Sequence, residues 1–177
     1  MATTAKTKAK RAEARKTTKS SAKGAGGTDD AIALLEGDHR EVEEYFDLYE
    51  KSDDDDEKAD LAEKICLALT VHAQIEEEIF YPAARKATGD KDLLDEAAVE
   101  HACAKDLIAQ IEGMEAGDEL YDAKVKVLGE QIRHHVKEEE EELFPEVKKA
   151  KMDVTGITQQ LAARKKALMA ELGGEEK

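Results

Sequence analysis

The sequence predicts an all-α fold, an up-down-up-down antiparallel four-helix bundle, and three observations predict it. The chain has no Trp, two Pro and 39% charged residues among its 177, a composition that suits helices better than a sandwich or barrel. Apolar residues recur at spacings of three and four along four stretches, the period of one helix face. The segments between them, KSDDDD, ATGDK and EAGD, are short and polar, so successive helices become antiparallel neighbours. A chain of this length is enough for one domain with a buried core.

Residues 1–28 come first and are a different object from the rest. They hold eight Lys or Arg against one Glu, about +7, which leaves about −22 of the net −15 on the remainder. With no apolar side chain larger than Ala after Met1, this stretch cannot bury enough surface to fold alone and is expected to be a disordered basic tail. Its charge suits either nucleic-acid phosphates or plain solubility. The bundle is expected over residues 29–150, and residues 151–177 as a short C-terminal helix and tail.

The first helix starts at a Thr28-Asp29-Asp30 cap and runs to about Lys51, with Ile32, Leu35, His39, Val42, Phe46 and Tyr49 on one stripe. The second follows the acidic turn, aligns Leu61, Ile65, Leu69, His72, Glu76 and Ile79, and is expected to stop or kink at Pro82. The third runs from about Asp92 to Glu115 with Leu94, Ala98, His101 and Ile108 on its face. The fourth, from about Asp118 to Ala150, carries Tyr121, Val125, Leu128, Ile132, His135, Glu139 and Leu143. A fifth helix, Ile157 to Leu172, is apolar at Ile157, Leu161, Leu168 and Met169.

No uninterrupted apolar stretch approaches the ~18–20 residues that cross a bilayer, and no secretory h-region opens the chain. Cys66 and Cys103 are too few for a disulfide framework and read as plain thiols of a reducing compartment. A cytoplasmic protein with no membrane partner is the expectation.

Each of the four main helices places one histidine inside its apolar stripe. If a third of helix positions face the core, four chosen positions all do so about once in 80. Two of these histidines, His72 and His135, begin matching stretches HAQIEEEIFYP and HVKEEEEELFP, each with Glu at i+4. On a helix that spacing turns an imidazole and a carboxylate to one side, where one ion meets both. The repeat is wider still: Asp38-His39 precedes His72 by 33 residues and Glu100-His101 precedes His135 by 34. Phase selects His135 over its neighbour His134. The candidate metal ligands are therefore His39, His72, Glu76, His101, His135 and Glu139. Burying four imidazoles and two carboxylates together is costly unless something pairs with them, and metal coordination does so. Nitrogen-rich donors with two carboxylates suit iron or manganese rather than calcium or magnesium, and six donors suit two ions with room for an exogenous ligand.

In its DHREVEEYF, HAQIEEEIFYP, EH and HHVKEEEEELFP segments the chain resembles the hemerythrin-like HHE cation-binding domain family, over about residues 29–150. The resemblance implies a four-helix bundle with a non-haem, carboxylate-bridged di-iron centre, manganese being the alternative metal, with the six residues above as ligands and Glu76 and Glu139 as bridges. Oxygen-carrying members look like HxxxH on the third helix, whereas here Lys105 follows His101 at i+4. That departure favours the four-His, two-Glu members that sense or handle oxygen, peroxide, nitric oxide or iron.

Three readings follow. In the first, the centre binds or senses a small diatomic or peroxide ligand, or holds iron. In the second it is an enzyme acting on peroxide or nitric oxide, with Lys105 as a non-ligand participant. In the third, a scaffold binds nucleic acid through residues 1–28. The other acids of the Glu76–Glu78 and Glu138–Glu142 runs read as solvated, Glu43 as a salt-bridge partner of a surface cation, and Tyr45, Tyr49 and Tyr121 as core residues. The oligomeric state is not encoded in any of these features.

Overall fold

The computed structural model describes residues 1, 28–152 and 156–173, so the basic tail and the side chains of the Thr28-Asp29-Asp30 cap lie outside the described residues. Every regular element is helical, and no strand occurs among the described residues. Helix α1 spans Thr28–Lys51 and α2 spans Asp55–Ile75, after which a π-turn, Glu76–Phe80, leads without a break into α3, Tyr81–Thr88. Helix α4 is Asp92–Glu112, α5 is Tyr121–Glu138, and a second π-turn, Glu139–Leu143, leads into α6, Phe144–Lys149. Helix α7 is Ile157–Leu172.

Local chemistry sets these limits. Asp54 caps α2, its carboxylate accepting the Glu57 N–H at 2.9 Å, and Asp55, Asp56 and Glu57 complement the positive end of the helix. Gly89 ends α3 at φ +72°, a left-handed conformation that a side chain would strain. Helix α1 packs on α2 and α5, and α4 packs on the same two, closing a ring of four. Helix α7 lies outside this ring against α1, α2 and the first π-turn, burying Leu161 and Leu168. No helix among the described residues is long and apolar enough to cross a membrane.

Pro82 does not stop the second helix. One residue earlier the chain widens into a π-turn in which the Tyr81 N–H bonds the Glu76 carbonyl, five residues back, so the ladder has loosened by one residue just where proline brings no N–H. The fourth helix repeats the device before Pro145, with the Phe144 N–H on the Glu139 carbonyl. The extra residue slips the phase: Phe80, not Ile79, is fully buried. On α4 Ala97 is buried rather than Ala98, and on α7 Met169 is exposed.

The core is two apolar clusters. One gathers Leu35, Ile75, Phe80, Ala97, Leu143, Phe144 and Leu161, the other Val42, Phe46, Leu69, Ala104, Ile108 and Ile132. Along each helix the stripe histidine falls between a residue of the first cluster and one of the second. The polar side chains thus form one layer between two dry ones.

Candidate metal centre

That layer brings all six sequence-derived candidates together. His39, His72, Glu76, His101, His135 and Glu139 are each at most 8% exposed, and Glu76 is completely enclosed. The Nε2 atoms of His39 and His72 stand 3.1 Å apart, as do those of His101 and His135. Each carboxylate lies between the two pairs. Glu76 Oε2 is 3.2 Å from His72 Nε2 and 3.4 Å from His101 Nε2; Glu139 Oε2 is 3.3 Å from His39 Nε2 and 3.6 Å from His135 Nε2. Glu76 and Glu139 each open a π-turn while their own N–H groups still bond the carbonyls of His72 and His135, so each stays in helical register with its histidine.

The far side of every ring is anchored by an acid. His39 Nδ1 is 2.9 Å from Glu140, His72 Nδ1 is 3.3 Å from Asp38, His101 Nδ1 is 3.0 Å from Glu77, and His135 Nδ1 is 2.7 Å from Glu100. An acid at Nδ1 holds the proton there and turns a bare Nε2 lone pair inward, the arrangement typical of metal-ligating histidine. Two Nε2 lone pairs at 3.1 Å repel unless a proton or a cation lies between them. Donor atoms ~2.1 Å from one octahedral ion stand ~3.0 Å apart, close to the spacings observed. Two buried oxygens, Glu76 Oε1 and Glu139 Oε2, have no hydrogen-bond donor, although Glu139 Oε2 is within ion-pair range of His39. Its angles do not make a hydrogen bond, and two enclosed carboxylates short of donors are what a cation would satisfy. The residues present therefore fit a metal: one set is His39, His72, Glu76 and Glu139, a second is Glu76, His101 and His135.

A proton is the competing occupant. Burial pushes the His72 imidazole down, but the charge on Glu76 and the hydrogen bond with Asp38 outweigh it and raise the ring to about 10. His135 is also raised, against burial, by Glu100 and Glu139. Burial alone would raise Glu76; His72 and His101 instead hold it well below the usual carboxylate range.

Sequence reasoning missed two layers of this site. Glu77 and Glu140 are not simply solvated but hold His101 and His39, and Asp38 and Glu100, noted only as part of the repeat, hold His72 and His135. The signal was present: in both halves an acid precedes the first histidine and follows the ligand-face glutamate. The second omission is Tyr81. Its buried hydroxyl donates to Glu139 Oε1 at 2.8 Å and lies 3.3 Å from Glu76 Oε2 and 3.2 Å from His101 Nε2. Burial and the two carboxylates raise its phenol well above the ordinary value. The equivalent residue of the other half is Phe144, which stacks on His39 at 5.9 Å.

Lys105 is held by Glu77, its ammonium 2.6 Å from the same Oε1 that lies 3.0 Å from His101 Nδ1. Glu43 pairs with Arg40 at 2.7 Å, on the surface as expected. Beside the four histidines is a small, mainly apolar cavity of about 20 Å³, lined by Val42, Leu69, Ile108 and Ile132 together with Asp38 and Lys105, room for about one water-sized molecule.

A helical ring whose core layer converges His and Glu donors defines a metal-cation-binding bundle. The chain belongs to the hemerythrin HHE cation binding domain family, whose model matches residues 30–147. Its fold is similar to the crystal structure of a hemerythrin HHE cation binding domain-containing protein from Mycobacterium kansasii, with a TM-score of 0.58 and 19% identity over 85% of this chain and 91% of that one. It is also 27% identical over 144 residues to a DNA nickase of Nostoc sp. strain PCC 7120. That alignment takes in 80% of this chain but only 41% of the nickase.

Proposed function

We propose that this chain is a non-haem di-iron protein whose centre binds or senses oxygen or a related small ligand such as peroxide or nitric oxide. The single observation that carries the reading is the set of four imidazoles, each tied at Nδ1 to an acid and each presenting Nε2 to a partner ring and a buried glutamate. In this reading His39 and His72 would hold one ion and His101 and His135 the other, with Glu76 and Glu139 shared between the two pairs, within an up-down-up-down bundle. Manganese is the alternative metal. Such a pair supplies Lewis acidity and reversible electron transfer.

The chain's own residues supply the rest. Asp38, Glu77, Glu100 and Glu140 fix the ring orientations and make the ligands more basic. Tyr81 holds Glu139 in place through a buried hydrogen bond. Lys105, where an oxygen carrier would place a further histidine, is engaged by Glu77 and leaves the centre short of one donor. The apolar cavity beside the histidines limits the exogenous ligand to a few atoms. Free Cys66 and Cys103 accord with a cytoplasmic setting.

The test is metal content and the visible spectrum of the purified protein, before and after dithionite and on return to air. About two irons per chain with bands that bleach and return support the reading. A colourless chain that takes up neither iron nor manganese overturns it. Sustained peroxide breakdown that is lost in His72→Ala would replace the sensor by an enzyme.

The eight basic residues in the first 28 favour one second reading, a nucleic-acid contact made by the tail and independent of the centre. Duplex DNA binding that falls steeply with salt, disappears on deletion of residues 1–28 and survives His101→Ala would support it.

A further inference from the structure

The four acids that hold the histidines are each held in turn from outside, and three of them by a fixed positive charge. Lys165 reaches Asp38 at 2.5 Å, Lys105 reaches Glu77 at 2.6 Å, and Arg40 pairs with Glu140. Glu100 is the exception among the described residues: its outer neighbour is His134, with Nε2 3.8 Å from Glu100 Oε1. His134 Nε2 is also 3.2 Å from Glu138 Oε1, one helical turn on. One atom from each of Glu100, His134 and Glu138 falls within 4.8 Å of the others.

From these observations we propose that Glu100, His134 and Glu138 form a separate surface site for a divalent transition-metal cation, a reading that goes beyond the buried centre. His134-x-x-x-Glu138 repeats the His135-x-x-x-Glu139 spacing one residue out of phase, so the end of α5 and the start of the π-turn after it carry two such pairs on adjoining faces, one turned inward and one outward. Ligand atoms ~2.1 Å from a tetrahedral ion stand ~3.4 Å apart, and the observed 3.2 and 3.8 Å bracket that edge. The donor set, one imidazole and two carboxylates with open positions for water, suits zinc, manganese or ferrous iron rather than an all-oxygen calcium shell. Glu100 and Glu138 are 22% and 26% exposed, enough to admit an ion, and His134 is 63% exposed and free to turn.

The site also has an approach. A cleft of about 200 Å³ opens between α4 and α5, lined by Val99, Glu100, Cys103, Gln131, His134 and His135. Glu100 spans both sites: Oε1 faces His134, while Oε2 is 2.7 Å from His135 Nδ1. An ion in the outer site therefore sits one carboxylate away from an inner imidazole, where a basic residue stands in the other three quadrants.

The deciding experiment is calorimetric titration of the iron-loaded full chain with zinc, with iron content measured before and after. The expected result is about one further zinc per chain. His134→Ala and Glu138→Gln each weaken that event about tenfold or more with iron content unchanged, and the His134 ring resonances move only when zinc is added. His134 is exposed, and Glu138→Gln keeps the shape of a half-buried side chain, so neither substitution threatens folding. No zinc uptake, or an isotherm identical in the two variants, overturns the proposal. A chain that holds no iron yet loses one zinc event on His134→Ala would keep the outer site and refute the di-iron reading instead.

Discussion

The half of the centre built by α1 and α2 and the half built by α4 and α5 use the same side chains at nearly the same spacing, yet their surroundings differ. In the first, α7 lies over the helices, Arg164 pairs with Glu78, and Lys165 fixes the acid that orients His72. In the second, the corresponding acid faces His134 and a cleft, with Val99 64% exposed. The aromatic residue before each proline differs too, Tyr81 against Phe144. The repeat keeps four rings and two carboxylates at matching positions, while the residues around them that meet solvent differ. The histidine layer is symmetric and its casing is not.

The strongest way to break the comparison is to remove equivalent ligands. If the halves are equal at the level of ligation, His72→Ala and His135→Ala lower iron content alike, each to one ion or fewer per chain, because each leaves its partner imidazole facing a gap. Elemental analysis of both variants checks this. Retention of both irons in either one would show that the two halves do not share the load.

The aromatic pair gives the next largest effect. Phe144 is 1% exposed and packs edge-on against Phe80 at 5.6 Å. Phe144→Ala should cost about 3–5 kcal/mol in denaturant unfolding. Tyr81→Phe keeps the ring but strips Glu139 Oε1 of its buried donor, and should cost about 1–3 kcal/mol in the metal-free chain. A neutral Tyr81→Phe would mean that the hydroxyl does not hold the carboxylate.

Proton and metal compete for the same gaps, which gives a pH dependence with a definite sign. In the metal-free chain His72 is raised from 6.5 to about 10, so its stabilising contribution is complete below about 6.5 and fades as pH rises through about 10. Glu76 and Asp38 are lowered, so theirs is present above the ordinary carboxylate range and fades as pH falls below it. Thermal unfolding of metal-free protein should be highest in weakly acidic solution and decline towards pH 10. If His72 is a ligand, metal must displace its proton, and apparent metal affinity should rise over the same interval. A metal affinity independent of pH between 7 and 9 would count against His72 as a ligand.

Smaller effects separate the casings. Lys165 is 30% exposed and braces an acid that is itself 11% exposed, whereas Lys105 is 44% exposed on a more open glutamate. Lys165→Ala should weaken metal binding by up to about tenfold, and Lys105→Ala by less. Competition against a chelator measures both, and the reverse order would mean that α7 is only a packing element.

These contrasts also mark what the sequence could and could not reveal. The stripe positions from Ile32 to Tyr49 and from Tyr121 to Leu143 are buried as their periodicity requires, and each stripe histidine lies in the shared layer. Of a stop or a kink at Pro82, the stop does not occur, because a helix can widen ahead of a proline, and a π-turn shows up only in the backbone hydrogen bonds. The acids at Nδ1 were hidden for another reason. Asp38 serves the histidine of a neighbouring helix rather than its own neighbour His39, and Glu77 serves His101, 24 residues away. Pattern along one helix cannot assign a partner across the bundle. Tyr81 sat in the quoted motif but read as an aromatic before proline, because nothing local tells a packed ring from one whose hydroxyl reaches a carboxylate.

The two cysteines give the gentlest test of the covered and open faces. Cys66, on α2, is 3% exposed, and burial together with nearby Glu112 pushes its thiol up to about 12. At pH 8 Cys66 is then almost entirely the thiol, and reagents meet only the thiolate at any useful rate. Cys103, on α4, is exposed in the cleft beside Glu100 and His134. Native protein should therefore titrate one fast thiol with a disulfide reagent, the second appearing only on unfolding, and Cys103→Ser should abolish the fast phase. Saturating zinc should slow that phase, since an ion on Glu100, His134 and Glu138 would stand in the reagent's path, and His134→Ala should remove the protection. Two fast thiols would mean that α2 opens readily and that its half of the bundle is the looser one. A fast phase indifferent to zinc would leave the cleft open but separate it from the outer cluster.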